Sequence, residues 1–304
     1  MLINKISLSN LNKFSKFKKN SPPTNEKPVS KETKYMPKSS ELGVFVPMQG
    51  ISDLNLFQLK NDEIDKDVFF IRMSGYGRDF VWAEKMKQLV LDVSKQIKND
   101  EDFDLIIKNI ESGVSTINKN PLFARKRYNS RGFFTFGLND RGMEYYGDYK
   151  EKLFNLFKID DYGQKYNMFQ PKQPERFKHA NTCKISSDDY IHIVYGYTNS
   201  QQSNMRYVKE VYSELKQLKN PSVDEILEKI ATIRWLLSQE SGYFRGSESI
   251  TTVFERALLH SFNIENIKYK KQVSPDFEVF YRNLDEFVKV YPKLFEKKPE
   301  FINK

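Results

Sequence analysis

The sequence holds one cysteine, three histidines and no apolar run of membrane-spanning length, and each scarcity removes a class of protein. Cys183 alone cannot close an internal disulfide, so a disulfide-stapled scaffold is excluded and a reducing final compartment fits. With only His179, His192 and His260 beside it there is no zinc-ligand spacing, and no metal site is expected. His179 lies four residues from Cys183, but catalytic Cys/His pairs assemble from distant segments, so Cys183 reads as a small buried residue. Every hydrophobic stretch is broken by Lys, Asp, Glu or Asn within roughly eight positions, against the roughly 20 apolar residues that a helical span requires. No membrane span is expected, and there is no internal repeat.

Acid is scarce at the start of the chain. Residues 1–40 carry nine lysines, no arginine and only Glu26 and Glu32, which places +7 of the +9 net charge there and leaves +2 on residues 41–304. A protein that grips nucleic acid electrostatically carries its basic stripe on the fold, so this distribution argues against a nucleic-acid partner. Only the cluster Arg125-Lys126-Arg127 keeps that partner open. Pro22, Pro23 and Pro28 among Lys, Ser and Asn predict a disordered linker. Ahead of them Leu8, Leu11, Phe14 and Phe17 recur every three residues, the pattern of a weakly amphipathic basic helix. A continuous apolar h-region and a small-residue cleavage site are both missing, so a Sec-type signal is not expected. A mitochondrial-type presequence, the Ser/Asn/Ile-rich leader of bacterial proteins injected into host cells, and a tail with no address all stay open.

What remains is rich enough in hydrophobic (39%) and aromatic (14%) residues to bury a core. The expected class is α+β: a mixed sheet of short strands packed against helices, with a helical C-terminal third. The expected division is a basic tail at 1–40, an α+β domain at 41–200 and a helical region at 201–304 packed on it. Strands are expected at 43–48, 67–73, 131–138 and 190–198. Trp82, Met86, Leu89, Val90, Val93 and Ile97 predict a helix over 79–98, and further helices are expected at 103–117, near 149–158 and near 204–218. Ser222 and Glu225, just after Pro221, read as a capping box. The helix that follows carries Ile226, Ile230, Ile233 and Leu237 on one face and Trp235 on the other, so both sides should be covered. Ile250, Val253, Phe254, Ala257 and Leu258 mark another helix, and 276–297 reads as one or two short ones.

Three places could carry chemistry. At 67–80 a strand, a turn and a helix place Arg72 and Arg78 beside Gly75 and Gly77, where backbone amides and a helix N-terminus would suit a phosphate or nucleotide. The pattern lacks the third glycine of a dinucleotide fingerprint and no Walker lysine follows, so a plain turn with an arginine at the strand end explains it better. The loop 240–249 is polar and glycine-bearing between two apolar helices. If Ser247 is the N-cap, the amides of Glu248, Ser249 and Ile250 face outward beside Arg245 as an anion site; otherwise the serine only caps the helix and Glu248 only complements its dipole. Third, Arg176, Lys178 and His179 precede the strand that bears His192, and a lysine and a histidine could abstract and return a proton, although His192 on an apolar strand reads better as a core residue. An enzyme built this way would use Arg72, Arg78, Arg245 and Ser247 on phosphate and Lys178, His179 and Glu248 in proton transfer. No residue pattern names a cofactor.

Two resemblances bear on these segments. The helix, loop and helix over 226–262 resemble the central helix–loop–helix of Fic/Doc nucleotidyl transferases, through Phe244, Gly246 and the flanking apolar helices. Ser241, Gly242 and Tyr243 stand where that motif has its catalytic histidine, and its final arginine is missing, so ordinary AMP transfer is not implied. The order of strand, short helix, Arg176–His179 and a strand ending in Tyr-Gly-Tyr-Thr, over 131–218, is similar in outline to a domain of HopA-type plant-pathogen effectors, which are related to lyases of phosphorylated Ser/Thr. With the leader, these resemblances imply a secreted bacterial effector or toxin active in a host cytoplasm on a nucleotide or host protein, possible chemistries being transferase or lyase. The alternatives are a mitochondrial or cytoplasmic address, and a non-catalytic interaction module that docks through Tyr145, Tyr146 and Phe169.

Overall fold

The computed structural model describes residues 80–120, 122–127, 133–137, 158–159, 165–166, 168–187, 190–195, 204–270 and 273–302. The strands expected at 43–48 and 67–73, the turn with Arg72, Gly75, Gly77 and Arg78, and Tyr145 and Tyr146 lie outside the described residues.

Helix α1 (Phe80–Lys98) buries Trp82, Met86, Val90, Val93 and Ile97, the stripe that the periodicity marks. Helix α2 (Phe103–Asn118) begins at Asp102, whose carboxylate accepts from the amides of Asp104 and Leu105, and it buries Phe103, Ile106, Ile107, Ile110 and Val114. The two helices approach so closely that a Cβ on Gly113 would stand 2.6 Å from Leu89 Cδ1. Helix α3 (Met205–Gln217) and helix α4 (Val223–Glu240) lie side by side, and helix α5 (Ser247–Ser261) packs on α1, α2 and α4.

Ser222 and Glu225 form the expected capping box on α4, each side chain reaching the other's backbone amide. From Ile230 to Glu240 every residue of α4 is buried, Trp235 included. A helix covered on all sides is a central one, and its neighbours α3, α5, α6 (Pro275–Phe280) and α7 (Leu284–Val290) account for the cover. After α7 the chain continues as a 3-10 turn at Tyr291–Leu294, so the acidic, aromatic segment does form short helices. One hydrophobic core runs from Trp82 to Phe295 and joins helices on both sides of residue 200.

The sheet is four-stranded in the order β1 (Phe133–Gly137), β6 (Tyr190–Val194), β5 (Lys184–Ser187), β4 (Met168–Phe169). The register sets Thr135 and Ser186 on either side of His192, and buries Ile185 against Ile193. Two further pairs are β2 (Lys158–Ile159) with β3 (Lys165–Tyr166), and β7 (Ile264–Glu265) with β8 (Glu300–Phe301). The class is α+β as expected, but all these strands pair antiparallel where a mixed sheet is expected. The link from β5 to β6 spans only two residues, too few for the crossover that a parallel pair needs. Lys158 lies in a strand, not at a helix end. No helix of the described residues is long and apolar enough to cross a membrane.

Candidate functional site

The last turn of α4, Ser238-Gln239-Glu240, is polar in sequence and buried in structure, so each side chain must find a partner. Gln239 accepts from the Cys183 amide at 2.9 Å and donates to the Val279 carbonyl at 2.9 Å, tying the residue before β5 to α6. Glu240 accepts from the Asn204 amide; Asn204 in turn donates to Leu236 O at 2.7 Å and pairs with the backbone of Asn181. Ser238 donates to Asp276 Oδ1 at 2.7 Å. Three elements are thus pinned to one helix end, which then turns at Ser241 in a left-handed conformation (φ 44°, ψ 58°).

Beneath this joint lies a buried charge network. Fully buried Arg234 donates to Glu255 and to Asp276 Oδ1 at 2.9 Å, and Glu255 also accepts from the hydroxyls of Tyr269 and Tyr291. Glu248, on the first turn of α5, is drawn into the same field. Burial first and the neighbouring Asp276 second push its carboxyl up to about 8, against the partial opposition of Arg234. Among the described residues nothing hydrogen-bonds the Glu248 side chain. A carboxyl that changes charge close to neutral pH is suited to general acid–base work.

Ser247 is not the N-cap. That position belongs to Gly246 at φ 82°, and a Cβ there would stand 2.9 Å from Phe123 Cδ1, so both the turn and the close packing demand glycine. Ser247 Oγ instead lies 3.0 Å from Ser241 Oγ and accepts from the Tyr243 amide at 3.3 Å, which closes the loop on itself. The outer side of the loop is paired with residues 123–127. Ala124 N donates to Arg245 O (3.1 Å), Phe244 N to Arg125 O (2.9 Å) and Arg127 N to Gly242 O (2.9 Å).

The cluster Arg125-Lys126-Arg127 is no basic surface stripe. Arg127 is 3% exposed, the exposed Lys126 pairs with Glu111 at 3.0 Å, and the exposed Arg125 lies over the ring of Phe244. Tyr195, just past β6, has the Arg127 guanidinium 5.7 Å from its ring centre. Desolvation pushes its hydroxyl well up, Cys183 and Asp276 add to this, and a hydrogen bond with Ser241 and the charge of Arg127 oppose it.

Residues 166–298 match the family model of AvrB_AvrC avirulence proteins. No curated protein matches the chain. The match supports a bacterial effector, a class that acts on host components, and it names neither of the two families compared on sequence grounds. It spans β4 to α7 and therefore takes in Ser241, Arg245, Ser247, Glu248, Asp276 and Tyr195; the 123–127 segment lies outside it.

Of the residues expected from sequence, the avirulence-like stretch brings Arg245, Ser247 and Glu248 together at one helix start. Lys178 and His179 are exposed on the turn after a 3-10 helix (Glu175–Phe177) whose Phe177 packs on Tyr207, and neither hydrogen-bonds Ser247 or Glu248. Arg72, Gly75, Gly77 and Arg78 lie outside the described residues, and of His192 only the strand position is described. Cys183 is buried, and burial pushes its thiol far up, which makes it inert as a nucleophile. Asp276, Tyr195 and Arg127 were not singled out as site residues by sequence. Asp276 carries a local signal, an acid inside the aromatic run 276–281, whereas Tyr195 and Arg127 reach the joint only through tertiary pairing. The described residues hold no group of three or more His, Cys, Asp and Glu that would bind a metal.

Proposed function

We propose that this chain is a bacterial effector enzyme, delivered to a host cell through its basic leader, that recognises a phosphate-bearing group at the α4–α5 joint. A nucleotide and a phosphorylated host protein are the two substrate classes this chemistry serves. The observation that carries the reading is Glu248, a carboxyl raised to about 8 at the start of a 15-residue helix. The positive end of the helix favours an anion, and a Glu248 that keeps its proton at neutral pH does not repel one. Arg245 and Ser247 would hold the phosphate with the first-turn amides, and Glu248 would pass a proton to or from the reacting group.

Titration with ADP, with a phosphoserine peptide and with inorganic phosphate tests this. Arg245→Ala should weaken binding about 10-fold or more, the scale of a lost charge-assisted hydrogen bond, with the melting temperature nearly unchanged. Lost stability with unchanged binding would make Arg245 structural and remove the argument for an enzyme. A non-catalytic interaction module is the second reading, and one observation favours it: Phe244 is 51% exposed and Leu122 40% exposed on neighbouring paired segments. In that case Phe244→Ala abolishes capture of a host protein while Glu248→Gln leaves it intact.

A further inference from the structure

The avirulence-like stretch supplies most of the joint but not the side chain that holds its turn. Arg127 donates from Nε to Ser241 O at 2.9 Å, and from Nη2 to Ser241 O at 2.6 Å and Glu240 O at 2.8 Å. Its own backbone amide takes Gly242 O, and its guanidinium lies 5.7 Å from the centre of the Tyr195 ring. These carbonyls belong to the open C-terminal end of α4, where a cation is favoured by the helix dipole, and one of them is on a left-handed serine that carries conformational strain. A planar fork meets two adjacent carbonyls at once, which an ammonium cannot do in the same geometry.

From this arrangement we infer that Arg127 is a positioning residue for the α4–α5 site, setting the Ser241 turn so that the Ser241 and Ser247 hydroxyls meet and Glu248 is kept half-buried, with limited access to water. The inference rests on reading that joint as the functional site. The chain of contacts is short. Arg127 fixes Ser241, Ser241 Oγ meets Ser247 Oγ, and Ser247 is the residue before Glu248. The loop's other anchors, Ala124 and Arg125, come from the same segment, so residues 123–127 act as a brace that the matched 166–298 stretch lacks.

The test compares Arg127→Ala and Arg127→Lys in the full chain, well below the melting transition, by the NMR titration of the Glu248 side-chain carboxyl and by inorganic phosphate affinity. In both variants the Glu248 midpoint should fall by about one pH unit or more as water enters, and phosphate affinity should fall about tenfold. Millimolar guanidinium should restore both quantities in the alanine variant, because it refills the fork's place. A Glu248 midpoint and an affinity that stay at wild-type values in either folded variant would leave Arg127 a plain helix cap and overturn the inference. If Arg127→Ala does not fold, the lysine variant decides, since it keeps the charge and loses only the fork. Failure of the wild-type chain to bind phosphate would defeat the reading of the site, yet the Glu248 midpoint would still decide the role of Arg127.

Discussion

Replacing Arg234 with alanine should cost about 3–5 kcal/mol of stability, the range for breaking a buried ion pair from one side. Arg234 is fully buried and is the cation that Glu255 and Asp276 share, so its loss strands two carboxylates that the surrounding hydroxyls of Ser238, Tyr269 and Tyr291 cannot neutralise. The loss should also depend on pH, in a direction that follows from Glu248. In the folded chain its carboxyl keeps a proton up to about 8, whereas the unfolded chain releases it near the ordinary carboxylate value. Stability that rests on this group is therefore present at low pH and is lost as pH rises through that window. Arg234 is the charge that opposes the upward shift, so its removal widens the window, and Arg234→Ala should lose more at pH 8 than at pH 5. Urea denaturation at the two pH values reads both effects. A cost below about 1 kcal/mol at either pH would mean that water reaches these acids.

Trp235→Ala should be equally damaging, at about 3–5 kcal/mol for the lost ring and the cavity it leaves, and further for the orphaned Arg282 carbonyl to which its indole donates at 3.0 Å. The indole is fully buried on the face of α4 opposite the Ile226–Ile230 row, and it ties α4 to the turn between α6 and α7. Calorimetry should show one cooperative transition at a lower temperature. Two separate transitions, with the part containing Ile230 and Ile233 unaffected, would mean that the C-terminal helices are not part of one core.

Helices whose signal is local were legible in sequence. The α1 stripe, the Ser222–Glu225 box and the two-sided burial of α4 follow from spacing that the chain itself carries. The strands were legible only where they are apolar and longer than a few residues, as in β1 and β6. Two-residue strands such as β4 and β7, and the polar end of β5, carry no periodicity, and their partners are chosen by tertiary register. The site divides the same way. Arg245, Ser247 and Glu248 stand where the loop between two regular helices enters α5, and that placement marks them, but Ser247 lies one residue past the N-cap because a glycine at positive φ caps this helix without any side-chain bond. Asp276 and Tyr195 come from 28 or more residues away, and Arg127 from more than a hundred, so only the folded chain shows that they surround the same turn. Ser238-Gln239-Glu240 carries no sequence signal of its role, because only burial makes these polar side chains the anchor of the joint.

The reading of the α4–α5 joint as an anion site with a proton-exchanging carboxyl meets its most direct test in calorimetry of ADP binding at pH 8.5 in two buffers of different ionisation enthalpy. At that pH most of the Glu248 population is ionised, with its midpoint near 8, so an anion arriving at the helix start should draw a proton onto it. Net uptake of about half a proton or more is expected on binding in the wild-type chain and none in Glu248→Gln, which should bind with little dependence on pH. Equal proton uptake in the two proteins, or no uptake in either, would contradict that reading of the joint.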